Sequence, residues 1–270
     1  MAQQESESIE KEQEEVQQAS SAHDIHRAIF QEAETELNRP ADSLFWSGLA
    51  AGLSMGFSMI GHGLLKTYLP KADWSTLVAS FGYSLGFVIV ILGRQQLFTE
   101  NTLTPMLPLL ERKDFRTFRQ VMRLWGIVLL ANLTGALLLA FVIAKTTVFS
   151  PAMLKSFEEI GYAVMEPDFS TTLLRGIFAG WLIALMVWIL PNAQNARLWI
   201  IILITYIISV AHFSHVIAGA VETFTLAAMQ KATWADVLGM FILPALIGNI
   251  IGGVILVAVI NHAQVQGSKQ

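Results

Sequence analysis

"SVAHFSHVIAGAVETF", residues 209–224, sets His212, His215 and Glu222 inside one of the most apolar stretches of the chain. An ionisable group in such a stretch is costly unless it is paired or faces water, so it marks a cavity or pathway rather than a lipid-facing surface. The segment runs apolar to Val210, meets "AHFSH" (211–215) and resumes as "VIAGAVETFTLAAM" (216–229). A helix broken at membrane depth leaves backbone groups without intrahelical partners. That is tolerated only where protein surrounds the break or where it lines a cavity.

Composition supports lipid as the solvent. Of 270 residues, 54% are hydrophobic and 14% charged, with a mean hydropathy of +0.53, outside the range of soluble domains. Six stretches lack Asp, Glu, Lys and Arg: 44–65, 74–93, 124–144, 176–196, 198–221 and 237–262. Each is long enough for a hydrocarbon core of about 30 Å, which takes about 20 helical residues. None alternates as a barrel strand does, so the expected class is an all-α membrane protein with six transmembrane helices. The chain has no cysteine, which excludes disulfides and thiolate metal sites.

A second break follows the second stretch. "GRQQLFTENTLTPMLPLL" (93–110) is too apolar for an ordinary loop, too short to cross, and interrupted by polar residues and by Pro105 and Pro108. Helices 2 and 5 are therefore expected to be discontinuous. "ANLTGA" (131–136) and "GNIIGG" (248–253) link the breaks, each with Asn followed three residues later by Gly. Thr99 precedes Asn132 by 33 residues and His215 precedes Asn249 by 34. The chain reads as two three-helix repeats, necessarily inverted, with Asn132 and Asn249 as repeat-packing residues and a site near the midplane where the breaks meet. Gly48, Gly52 and Gly56 add a GxxxGxxxG face to the first span, suited to packing within the protomer or to oligomer contact.

The chain divides into 1–40, an acidic tail ending in an amphipathic helix; 41–262, the transmembrane domain; and 263–270, a short C-terminal tail. Residues 24–38 place Ile25, Ala28, Ile29, Ala33 and Leu37 on one helical face, fitting either a membrane surface or the protein's own cytoplasmic side. Ten basic residues fall on one side: Lys11, Arg27, Arg39, Arg112, Lys113, Arg116, Arg119, Arg123, Arg197 and Lys269. Five, Lys66, Lys71, Lys145, Lys155 and Lys231, fall on the other. By the positive-inside rule both termini are cytoplasmic. The basic loop is explained by topology and does not point to nucleic acid.

"YSLGFVIVILGRQQLFTENTL" (83–103), the broken "HFSHVIAG" and "GNIIGG" together resemble the formate/nitrite transporters, over about residues 44–262. Within that family "RQQLFTEN", and a glycine and a glutamate after the histidine, resemble the YfdC-type inner-membrane branch. The resemblance implies a homopentamer of aquaporin-like protomers in the bacterial inner membrane, each with its own pore for small monovalent anions or their conjugate acids. It implies that His215 is the central pore histidine and Thr99 the facing Ω-loop threonine. Leu97 with Ile208, beside Tyr83, would form one apolar constriction, and Phe87 with Phe98 would line another. Gly219 and Gly180 stand where formate and nitrite channels have asparagines, so they are substituted polar pore positions. Arg94, Glu100 and Glu222 are charges those channels lack, expected as a buried network in which Arg94 is neutralised by Glu222 or Glu100. The alternative leaves Arg94 exposed to attract anions in a vestibule.

Bare anions do not cross apolar rings readily, since the idealised desolvation cost is of the order of 20 kcal/mol. Protonation within the pore removes that charge, and histidine, with an unperturbed pKa of about 6.5, suits the task. The expected function is a proton-linked channel for formate- or nitrite-like weak-acid anions, with substrate, proton and bilayer as partners. A neutral-solute channel of aquaporin type and a membrane scaffold with a vestigial pore are the competing readings. No nucleophile–base arrangement, phosphate loop or metal spacing appears, so neither an enzyme, a cofactor nor a metal site is expected.

Overall fold

The structure, a computed structural model, describes residues 22–193 and 195–267. The acidic tail read over 1–21 lies outside the described residues, as does the end of the C-terminal tail. Every regular element among the described residues is helical. They are α1 (Ala22–Leu37), α2 (Ala41–Tyr68), α3 (Ser75–Leu92), α4 (Met106–Arg112), α5 (Phe115–Lys145), α6 (Pro151–Met165), α7 (Phe169–Ile189), α8 (Arg197–Val210) and α9 (Val216–Ala228). A last helix, α10 (Trp234–Gln264), contains two π-helical stretches, Val237–Ile242 and Val254–Val259. Five helices, α2, α3, α5, α7 with its 3₁₀ extension, and α10, are long and apolar enough to cross a membrane. The stretch 198–221 divides into α8 and α9, and 176–196 becomes a helix that starts earlier, at Phe169, and ends in a 3₁₀ turn at Leu190–Asn192 around Pro191.

Both breaks are built alike. α3 ends with Arg94 at φ 50° and α8 with His212 at φ 53°. Gln95 N–H bonds Val90 O at 3.0 Å and Phe213 N–H bonds Ile208 O at 2.9 Å, the six-to-one bond of a Schellman turn. A non-glycine residue in this left-handed region costs of the order of 1–2 kcal/mol, so the surrounding structure must hold both turns. The remaining left-handed pair, Lys113 (φ 52°) and Gln230 (φ 63°), ends the second half-helices α4 and α9.

The repeats align through the two asparagines. Asn132 Oδ1 accepts from Phe98 N–H at 2.9 Å while its Nδ2 donates to Gly48 O at 2.7 Å and Gln96 O at 2.8 Å. Asn249 Oδ1 accepts from Val216 N–H at 2.9 Å while its Nδ2 donates to Gly176 O and Ser214 O, both at 2.8 Å. Phe98 thus corresponds to Val216, which pairs Leu97, not Thr99, with His215. The sequence spacing makes Thr99 the repeat equivalent of His215 because both side chains are polar; the backbone bonds correct that equivalence by two residues, although the two side chains still face each other.

The small residues serve this packing. A Cβ on Gly52 would overlap the Asn132 carbonyl, and one on Gly180 would overlap that of Asn249. Gly180 is therefore a helix-crossing position between α7 and α10 and not a substituted pore position. Gly48, Gly52 and Gly56 face Ala131, Asn132 and Leu139 of α5, so the glycine face of the first span packs within the protomer.

Each repeat is preceded by a short amphipathic helix. α1 buries His26, Ile29, Ala33 and Leu37, leaving Ala28 exposed, because the packed stripe runs through His26 rather than Ala28. It lies on the protein's own body, where Ile29 joins Leu103, Leu107, Trp188 and Val257. Glu34 pairs with Arg112 at 2.8 Å and a His26 ring nitrogen lies 3.2 Å from His262. The counterpart α6 buries Met153, Phe157, Ile160 and Gly161.

Two N-caps, Asp114 of α5 and Asp168 of α7, are acidic. Hydrogen bonds from the backbone N–H and then the hydroxyl of Thr117 hold Asp114 below the usual carboxylate range, and the same bonds from Thr171 do so for Asp168. A depressed carboxylate stabilises above its unfolded value and loses that contribution only as pH falls through the folded one. Mild acidification therefore leaves both caps in place.

Gly52→Ala and Gly180→Ala should each cost about 1–3 kcal/mol by separating packed backbones. Gly126→Ala, where a Cβ meets nothing within 4 Å, should be neutral. Thermal unfolding of the detergent-solubilised protein measures all three, and equal melting of the Gly52 and Gly126 variants would contradict the packing role.

Candidate functional site

His215 is the N-cap of α9, fully surrounded by protein at 1% exposure. Its Nδ1 accepts from Ala218 N–H at 3.1 Å, and its Nε2 lies 2.7 Å from Thr99 Oγ1. A nitrogen that receives an N–H carries no proton of its own, so in the neutral ring the hydrogen sits on Nε2 and is donated to Thr99. Thr99 makes no other side-chain hydrogen bond among the described residues, which leaves its hydroxyl hydrogen uncommitted. The result is a directed chain: α9 backbone N–H to imidazole, and imidazole to hydroxyl. Such chains polarise along their length and favour an anion at the end.

The two breaks bring these residues together. Thr99 follows clamped Phe98, and His215 precedes clamped Val216. Phe87 of α3 meets the His215 ring edge-on at 4.9 Å between centroids, and Tyr83 lies 5.3 Å from Phe87. An aromatic wall thus backs the polar pair.

A cavity of about 630 Å³ leads to this point from one side. Lys71 and Asp73 line its exposed mouth, and Tyr83, Ile208, His215 and Glu222 its buried interior. Leu97, Phe98, Thr99 and Phe87 are buried but do not line it. Leu97 and Phe98 belong to the other break, where the Phe98 ring sits against Trp125 at 5.8 Å. His212, exposed at the end of α8, lines the cavity, as does His62.

The charges do not form one network. The Arg94 side chain is 73% exposed and meets Glu32 of α1 at 3.5 Å. Glu100 is half-buried within electrostatic reach of Arg94, Arg197 and Glu32. Glu222 is 4% exposed and faces the cavity. The left-handed turn at the end of α3 carries Arg94 outward toward α1, while Glu222 lies two turns into α9. The expected Arg94–Glu222 pair is thus replaced by Arg94–Glu32.

Gly219 does line the cavity, but its place is filled: a Cβ there would overlap the Phe241 ring. Phe241, on the first π-helical stretch of α10, is 2% exposed. The sequence reading missed it because it looks like one more apolar residue of a span. Its only signal was the glycine it needs opposite.

The chain as a whole is similar to known proteins. A family model described as formate/nitrite transporter matches residues 23–263. The inner membrane protein YfdC of Escherichia coli is 40% identical over 247 residues, which is 92% of this chain and 80% of that protein. A formate-nitrite transporter of Plasmodium vivax is 28% identical, covering 81% of this chain and 75% of the relative. Among solved structures, a pentameric formate channel with formate bound matches with a TM-score of 0.69 at 20% identity, covering 81% of this chain and 95% of that one. An ion channel of the FNT family matches at 0.74 and 18%, covering 87% and 96%. Transporters and channels, not enzymes, are thus what this chain is similar to, and by the extent of both matches it belongs to the formate/nitrite transporter family.

Proposed function

We propose that this protein is a proton-linked pore for small monovalent weak-acid anions of the formate or nitrite class. The observation that carries the reading is the 2.7 Å bond between His215 Nε2 and Thr99 Oγ1, which leaves a polarised hydroxyl to meet an anion. Tyr83 and Ile208 line the cavity that leads to it, and Leu97, Phe98 and Phe87 are taken as the apolar rings of the path. Clamped Phe98 N–H and Val216 N–H hold the two breaks about this point. Desolvation makes passage of a bare anion through such rings costly, so a proton travels with it.

The architecture in this reading is six spans in two inverted repeats, with α3 plus α4 and α8 plus α9 as the discontinuous second and fifth. Both termini face the cytoplasm, residues 1–40 and 263–270 flank a channel domain at 41–262, and the membrane is the bacterial inner one. The assembly is a homopentamer in this reading, the matched formate channel being pentameric. The positive-inside count and the placement of α1 against the protein body support this arrangement.

A second reading, a channel for a neutral solute, has one specific observation in its favour. Gly219 offers no polar side chain, and a phenyl ring covers it. Swelling of proteoliposomes in a neutral solute, equal at acidic and alkaline pH, would support that reading over the first.

Stopped-flow uptake of small monocarboxylates, nitrite and hydrosulfide into proteoliposomes tests the proposal. Uptake should rise as external pH falls. Thr99→Val should lower it by about ten- to a hundredfold, the loss expected for a charge-assisted hydrogen bond of about 1.5–3 kcal/mol, while Thr99→Ser retains most of it. Equal uptake by the Val and Ser variants would remove the hydroxyl from the path. Gly219→Asn, which must displace the Phe241 ring, should be destabilised by about 1–3 kcal/mol. Adding Phe241→Ala should relieve part of that loss in the same melting assay.

A further inference from the structure

Glu222 is a carboxyl group without an assigned task. It lies seven residues beyond His215 on α9, about 10 Å along the axis at 1.5 Å per residue, and faces the same cavity. It is 4% exposed, and among the described residues it forms no hydrogen bond or ion pair. Neither of its oxygens is sealed from the cavity.

The groups around that cavity leave it uncompensated. Lys66 of α2 is taken by Glu159 of α6 at 3.3 Å. His62 of α2, Arg175 of α7 and His212 at the end of α8 line the cavity, but among the described residues none forms a hydrogen bond or ion pair with Glu222. Tyr83 of α3 lines the same cavity. A buried carboxylate without a cation is strained, and an approaching anion adds a like charge.

His215 is poorly placed to take up a proton. Its Nδ1 is occupied by Ala218 N–H and its Nε2 by Thr99, so a second proton would break the α9 cap. Glu222, by contrast, has its whole carboxyl uncommitted.

We propose that Glu222 is the proton-binding site of the transport path, loaded from the vestibule before an anion can pass. This rests on the weak-acid reading above. The loaded carboxyl passes its proton through vestibule water to the anion held at the Thr99 hydroxyl: its O–H bond breaks, an O–H bond forms on the anion, and the neutral acid moves on. The carboxylate left behind repels a second anion until vestibule water reprotonates it. One proton thus accompanies each anion, and His215 keeps its hydrogen throughout.

The test is anion uptake into proteoliposomes with a pH indicator trapped in the lumen, comparing wild type, Glu222→Gln and Glu222→Asp. Wild type should carry one proton per anion with uptake stimulated by acid. The Gln variant should lose that stimulation by at least about tenfold, the effect of removing one proton-transfer group, and the Asp variant should keep it. Wild-type proton-to-anion ratio and pH profile in an assembled Gln variant would overturn the proposal. Should the Gln variant fail to assemble, treatment of wild type with a hydrophobic carbodiimide decides. A modified Glu222 in peptide mass spectra with uptake lost in step supports the role, and full modification with uptake unchanged, or no modification, overturns it. Wild type that moves no weak acid at all would instead defeat the underlying weak-acid reading.

Discussion

Backbone groups freed by a broken helix must find partners inside the protein, and here one asparagine per repeat supplies them. Asn132 and Asn249 are wholly buried, and each makes three hydrogen bonds, one accepted and two donated. Each amide joins three segments: the third helix of its repeat, the first helix, and the break in the second. Removing the side chain would strand three polar groups at once, at about 1–3 kcal/mol apiece. The glycines opposite exist because the first helix must come close enough for the amide to reach its carbonyl.

The polar centre inherits its position from these clamps. Phe98 N–H and Val216 N–H are held, and the neighbouring Thr99 and His215 are thereby brought within 2.7 Å of each other. Neither side chain needs a flexible loop to present it. The left-handed turns at Arg94 and His212 are the local strain that interrupting each helix requires, and a doubly clamped break can sustain it.

Much of this was legible in the sequence because lipid leaves so few solutions. Charge-free stretches gave the spans, "AHFSH" and "FTENTLTP" gave the breaks, and the repeated Asn-x-x-Gly gave the two repeats. What escaped depends on relations that side-chain chemistry does not encode. The register shift between Thr99 and His215 lies in backbone bonds, which do not require like residues at like places. Helix α6 lies outside the charge-free stretches, although Met153, Phe157, Ile160 and Gly161 carry a helical spacing. The π-helical stretches of α10, and with them Phe241 over Gly219, have no signature in an apolar run. Arg94 was paired with the wrong acid because its partner, Glu32, sits on a helix whose docking face could not be chosen from sequence alone.

The hydrogen-bond chain through His215 is the centre on which the functional reading turns, and nitrogen-15 solid-state NMR of the histidine-labelled protein in lipid tests it most directly. The chain predicts an unprotonated Nδ1 and a protonated Nε2 at neutral pH, with the Nε2 signal displaced by Thr99→Val. A proton on Nδ1, or an Nε2 signal indifferent to Thr99, would contradict it.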